Sequence, residues 1–203
     1  MREISLCCIG IIFLAAVFIA STSSTNAAKS NFDEALKVVL LHEGYISNDK
    51  NDKGGFTKYG ISLRFLKLEK LDIDGDGDVD EDDVKAVNLD NIDDIYLKTF
   101  WKRNHYDQIV NQRLAIKLFD TSVNVGGSRA NKLLIMSMNS VLHEEMLIEE
   151  TLDKAIIRIA NSIEPVVLLD EYRAQQAKFY KDIIKIHPQY KVFERGWANR
   201  AKW

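Results

Sequence analysis

The sequence predicts a mainly α fold, and three observations carry that prediction. Apolar residues recur at helical spacing in six stretches, 31–43, 90–101, 113–123, 128–142, 149–162 and 166–186. Only two prolines interrupt the 203 residues, and there is no Ser/Gly linker, internal repeat or strand-rich run. A single turn-forming cluster, Asn48, Asp49, Asn51, Asp52, Gly54 and Gly55, follows the first helical stripe and suits a small hairpin.

The first element is a leader. Met1 to Glu3 are followed by an uncharged stretch, 4–28, whose apolar part runs from Ile9 to Ala20. This reads as a secretory signal with Thr25-Asn26-Ala27 as its cleavage site, or, since it is long enough to cross a bilayer, as a retained signal-anchor. Either way the chain is expected to be exported, to the periplasm or the outside, or held at the inner membrane by residues 4–28. Cys7 and Cys8 both lie in this segment, so the part that folds has no disulfide and no cysteine ligand. The remainder is long enough for one well-buried domain or two closely packed lobes.

The helix expected over 31–43 places Phe32, Leu36, Val39, Leu40 and Glu43 on one stripe. Glu43 therefore faces the protein from the last turn, where the negative end of the helix dipole and apolar neighbours both raise a carboxyl pKa. A carboxylic acid still protonated near neutral pH can donate to a leaving oxygen. Asp52, nine positions on in a hydrated turn, is expected to stay ionised. Two carboxylates in contrasting environments are what glycoside hydrolysis requires.

The stretch 42–62, HEGYISNDKNDKGGFTKYGIS, resembles the N-acetylmuramidases of glycoside hydrolase family 108, which include phage endolysins. Glu43, Gly44, Asn48, Asp49, Asp52, Gly54, Gly55, Thr57, Tyr59, Gly60 and Ile61 match in register. Tyr45 stands where a second glycine is usual, and Lys50 and Lys53 stand where prolines are usual. The resemblance implies a lysozyme-like fold with a small active-site hairpin. It makes Glu43 the catalytic acid, with Asp52 and Thr57 positioning the attacking water, as in the Glu/Asp/Thr arrangement of phage-type lysozymes. Asp49 is the competing second carboxylate, and Asp49 and Tyr59 are expected to contact substrate.

Residues 72–83, DIDGDGDVDEDD, interrupt the resemblance. Carboxylates occupy loop positions one, three, five, seven, nine and twelve, with glycine at six and valine at eight, which is EF-hand calcium-loop spacing. Asp72, Asp74, Asp76 and Asp83 are expected to offer side-chain oxygens, Asp78 its carbonyl and Asp80 a water-bridged contact. Position twelve is aspartate, as in dockerin loops. The expected cofactor is one structural, non-catalytic calcium ion, because the only other source of these charges is a solvated acidic insert in which they repel.

The resemblance resumes over 96–109, YLKTFWKRNHYDQI, and in the segment after it. There it implies that Trp101 and Tyr106 line a saccharide cleft, since aromatic faces pack against sugar rings; ordinary core packing is the other reading. Asp120 and Asn124 lie one turn apart, as a cleft-facing pair or a capped helix end. The ending FERGWANR, 193–200, is similar to the F-x-x-G-W-x-N-R of the same family. The expected organisation is a leader over 1–28, a catalytic region over 29–125 carrying the 72–83 insert, and a peptidoglycan-binding helical region over 126–203.

The net charge of −3 is unusual for a protein approaching an anionic wall, but most of the acidity lies in the 72–83 loop, and it gives no basic footprint for nucleic acid. The resemblance thus implies a monomeric muramidase acting on bacterial peptidoglycan, between N-acetylmuramic acid and N-acetylglucosamine. A lytic transglycosylase, which needs one glutamate and no water, is the alternative enzyme. A non-catalytic, calcium-dependent wall-binding protein is the alternative of another class.

Overall fold

The computed structural model describes residues 31–42, the backbone of 46–47, and 57–203. Its elements are helical apart from one small sheet. Helix α1 covers 31–42 and buries Phe32, Ala35, Leu36 and Val39, the stripe that the sequence pattern predicts. Three two-residue strands follow, β1 Ile46–Ser47, β2 Thr57–Lys58 and β3 Ile61–Ser62, in the order β1-β2-β3 with both pairs antiparallel. Thr57 is opposite Ser47 on one side and Ser62 on the other.

Tyr59 and Gly60 join β2 to β3, and both have positive φ, 52° and 80°. A two-residue hairpin whose central residues are both left-handed matches the twist of its strands, but it favours Asn-Gly over a tyrosine. Here the hydroxyl of Tyr96 donates to the Tyr59 carbonyl at 2.9 Å and holds the turn to the core.

Helix α2, Leu63–Glu69, starts where Ser62 accepts from the amide of Phe65 and ends on Lys70 in the left-handed conformation. Helices α3, Glu81–Ala86, and α4, Leu89–Tyr96, each begin with a reciprocal capping box, Asp80 with Asp83 and Asn88 with Asn91. The stripe expected to run as one helix over 90–101 divides instead. After Tyr96 the chain widens into a π-helical turn, Leu97–Lys102, within which the Thr99 hydroxyl donates back to the Ile95 carbonyl. Such back-bonding bends helices, and π turns are frequent where a helix accommodates an inserted side chain. The turn carries Trp101 into the core.

Helix α5, Gln112–Val125, is the central one, buried continuously from Leu114 to Ser122. Helix α6, Gly127–Leu142, folds back on it across Gly126, whose φ of 89° makes the corner. A side chain on Gly127 would meet Asn104, so glycine is required for the close approach. Helix α7, Lys154–Ser162, begins five positions later than the apolar stripe suggests because Asp153 caps it, accepting from the Ile156 amide at 2.8 Å. Helix α8, Pro165–Ile186, opens with proline in its first turn, and α9, Glu194–Lys202, packs against it.

The apolar core is one cluster. It runs from Phe32 through Leu66, Ile92, Trp101 and Phe119 to Leu134, Leu168 and Tyr172. The division expected at 125/126 falls on the α5–α6 corner, and residues from both sides of it contribute to this core. Among the described residues no helix is long and apolar enough to cross a membrane, and the 4–28 segment lies outside them.

Candidate active site

The end of α1 and the hairpin mark the place to which the sequence assigns the chemistry. Glu43, Asp49 and Asp52 lie outside the described residues. Their chain neighbours are described: His42 is the last residue of α1, residues 48–56 connect β1 to β2, and Thr57 opens β2 as a half-buried side chain. Tyr59 is half-buried and packs on the core from its left-handed turn.

Around His42 the structure gathers charges that sequence reading does not join. Asp120, fully buried on α5, accepts from Nδ1 of His42 at 2.8 Å, and its other oxygen faces Nε of Arg200 at 3.2 Å. Nδ1 of His42 therefore carries a proton. Lys117, one turn before Asp120 and equally buried, donates to the Arg200 carbonyl and lies under the Trp203 ring. Burial pulls the Lys117 ammonium down to about 8; Asp120 opposes this, while Arg173 and Arg200 reinforce it. The Trp203 ring meets His42 edge-on at 5.4 Å, and its backbone oxygen accepts from Arg173. The one trace of this cluster in the sequence is the pair Lys117 and Asp120 inside an otherwise apolar helical run.

Beside the cluster lies a groove of about 500 Å³, lined by His42 and Asn124 on one side and by Phe193, Trp197, Asn199 and Trp203 on the other. Asn124 accepts from the Tyr180 hydroxyl at 2.8 Å, and Tyr180 in turn stacks on Trp197 at 5.0 Å. Asn124 lines this groove.

Three other residues do not line a cleft. Trp101 is buried among Phe32, Tyr106 and Phe119, with neither face open to a sugar ring. Tyr106 is fully buried, its hydroxyl donating to Asn131 at 3.0 Å, and burial pushes its phenol well above the usual value. Asp120 points into the protein, to His42 and Arg200. An aromatic at helical spacing is ambiguous between core and cleft, and here core packing holds both rings.

The aspartate loop lies between α2 and α3. Asp72 accepts from the amides of Gly75 and Gly77, Asp74 from that of Asp76, and Asp76 from that of Asp78. Gly75 and Gly77 have φ of 79° and 103°, so the glycine at position six makes the tight turn that the spacing requires. Val79 packs on the core and ties the loop down. The carboxylates gather in two groups, Asp72, Asp74 and Asp76, and Asp78, Asp80 and Asp83.

Asp83 behaves differently from the rest. It is buried, and its oxygens accept from the amides of Ile73 and Asp74 on one side and of Asp80 on the other, so it clasps the two ends of the loop. Desolvation pushes its carboxyl up, but these backbone bonds outweigh that and leave it below the ordinary value. Asp78 is raised, first by repulsion from Asp76. For Asp74 the Asp76 amide pulls downward, yet desolvation and its neighbours' charges leave it raised. The donor set is all hard oxygen at EF-hand spacing, which fits calcium in type, with a position-twelve carboxylate already engaged by amides.

The family model of Glycosyl hydrolase 108 matches residues 36–126. This chain is similar to the glycosyl hydrolase 108 family over residues 36–126. It is a glycoside hydrolase, and peptidoglycan is the substrate class of that family. The match starts inside α1 and ends at the α5–α6 corner, so it takes in His42, the hairpin, Lys117, Asp120 and Asn124, and stops short of Arg200 and Trp203. Among solved structures, Brucella abortus SagA is similar at 20% identity with a TM-score of 0.69, over 86% of this chain and 91% of that one. The likeness covers more of the chain than the family match does, and the shared fold is mainly α, of lysozyme-like type. No curated protein matches the chain.

Proposed function

We propose that the protein is an exported N-acetylmuramidase that cleaves the β-1,4 bond between N-acetylmuramic acid and N-acetylglucosamine. The observation that carries the reading is the in-register motif 43–61 lying within the glycosyl hydrolase 108 match. Glu43 protonates the leaving oxygen, and Asp52, with Thr57, directs the water; Asp49 is the alternative to Asp52. Residues 29–125 supply the catalytic region and 126–203 the wall-binding half. The chain acts as a monomer, delivered through the membrane by 1–28. Asp72, Asp74, Asp76, Asp78, Asp80 and Asp83 would hold one calcium ion, which would stiffen the passage from α2 to α3 without entering the chemistry.

The test is digestion of purified sacculi with mass spectrometry of the released muropeptides. Wild type is expected to give reducing-end disaccharide muropeptides. Glu43→Gln is expected to keep the fold and lose activity by about 100- to 10,000-fold, the usual contribution of general acid catalysis. Products with 1,6-anhydro ends would make the enzyme a lytic transglycosylase. Binding of sacculi without release of any muropeptide would leave the wall-binding reading.

A further inference from the structure

The buried charges at the end of α1 point to a role that the motif residues do not cover. His42 directly precedes Glu43, and its ring is fixed from two sides. Asp120 accepts a hydrogen bond from Nδ1 at 2.8 Å, and the edge contact with Trp203 at 5.4 Å closes the other side. Asp120 itself is held by Arg200, whose carbonyl is held by Lys117, and the Trp203 backbone oxygen by Arg173. A carboxylate with no solvent exposure is costly to bury, so a fully buried one that spends its charge on one histidine and one arginine fixes both in place. The ionic path joins the last turn of α1 to α9 across α5, elements distant in sequence.

We propose that His42 is a positioning residue for the hydrolysis: anchored by Asp120, it sets the end of α1 and with it the approach of the following glutamate to the glycan. A carboxylate–imidazole pair fixes both tautomer and ring orientation, and a displacement of about 1 Å at a reacting group can cost on the order of 100-fold in rate. It follows that the catalytic region depends on residues beyond the family match, because Arg200 and Trp203 complete the anchor. The inference rests on the muramidase reading for its kinetic consequence only.

The experiment compares His42→Ala with His42→Gln, leaving Asp120, Lys117 and Arg200 intact so that the core keeps its charge balance. Glutamine retains a donor toward Asp120; alanine does not. On soluble glycan strands His42→Ala is expected to lose at least tenfold in kcat with KM within threefold, and His42→Gln to recover most of the loss. Amide hydrogen exchange is expected to quicken in residues 39–42 of the alanine variant and not elsewhere in the core. A kcat within threefold of wild type, a loss carried by KM, glutamine as defective as alanine, or unchanged exchange in 39–42 each overturns the proposal. If wild type releases no muropeptides, the muramidase reading fails by itself, and the exchange comparison alone decides whether Asp120 sets the end of α1 through His42.

Discussion

Two acidic regions of this molecule use their charge in opposite ways. In the 72–83 loop Asp72, Asp74 and Asp76 sit at the surface, bonded to amides two to five residues away. At Asp120 one carboxylate lies in the core, paired with partners 78 and 80 positions away in sequence, with the buried Lys117 ammonium acting on it as well. The first arrangement is local; the second is long-range. Charge at the surface is thus held by near neighbours, whereas charge in the core fixes which elements meet.

The comparison is broken most directly at Asp120. Asp120→Ala leaves Arg200 and Lys117 buried without their counter-charge, and loss of one partner of a buried pair costs about 3–5 kcal/mol. Urea unfolding is expected to show a loss of that size, and a change below 1 kcal/mol would mean that water reaches the cluster.

Calcium gives the next largest effect. Addition at a hundredfold excess over its Kd is expected to stabilise the protein by about 2.7 kcal/mol relative to the chelated form. The melting temperature should fall with EDTA and recover with calcium more fully than with magnesium. No response to chelation, together with no heat of binding in calorimetry, would reduce the loop to a solvated insert.

The two regions also differ with pH. Lys117 titrates at about 8 in the folded chain and near the usual lysine value when unfolded, so between those values the unfolded state binds more protons and stability rises with pH. In Lys117→Met this rise is expected to vanish, read as the difference in melting temperature between pH 7.5 and 9.5. At the acid end the sign depends on the residue. Protonation relieves Asp74 and Asp78, whose carboxyls are raised, whereas the stability that Asp83 contributes is lost as pH falls through its lowered value.

The smallest effect is a control. Lys98 and Asp94 form an exposed pair one turn apart on the surface, 2.9 Å long. Exposed pairs of this kind contribute little, so Lys98→Ala should shift the melting temperature by no more than about one degree.

What the sequence made legible follows the same division between local and distant. The stripe of Phe32, Leu36 and Val39 and the Gly126 break are decided by neighbours within a turn or two, and each stands in the structure as expected. The division of the 90–101 helix at a π turn was not legible, because it hangs on one threonine hydroxyl choosing a carbonyl. Trp101 and Tyr106 were open to a cleft or a core reading and lie in the core, since a ring that packs on sugar and a ring that packs on phenylalanine share the same spacing. His42, Lys117 and Arg200 gave no signal of belonging together, because only the tertiary fold brings α1, α5 and α9 to one point.

The single core has a consequence for how such an enzyme can be inherited or engineered. Many wall-lytic proteins could in principle be exchanged as cassettes, with a cutting part joined to a homing part through a linker. Here the Gly126 corner offers no seam: α6 and α8 shelter the same apolar interior as α1 and α5. A chimera cut at that corner would expose two unfinished halves. Recombination, in a genome or on the bench, is therefore expected to move the unit from α1 through α9 intact.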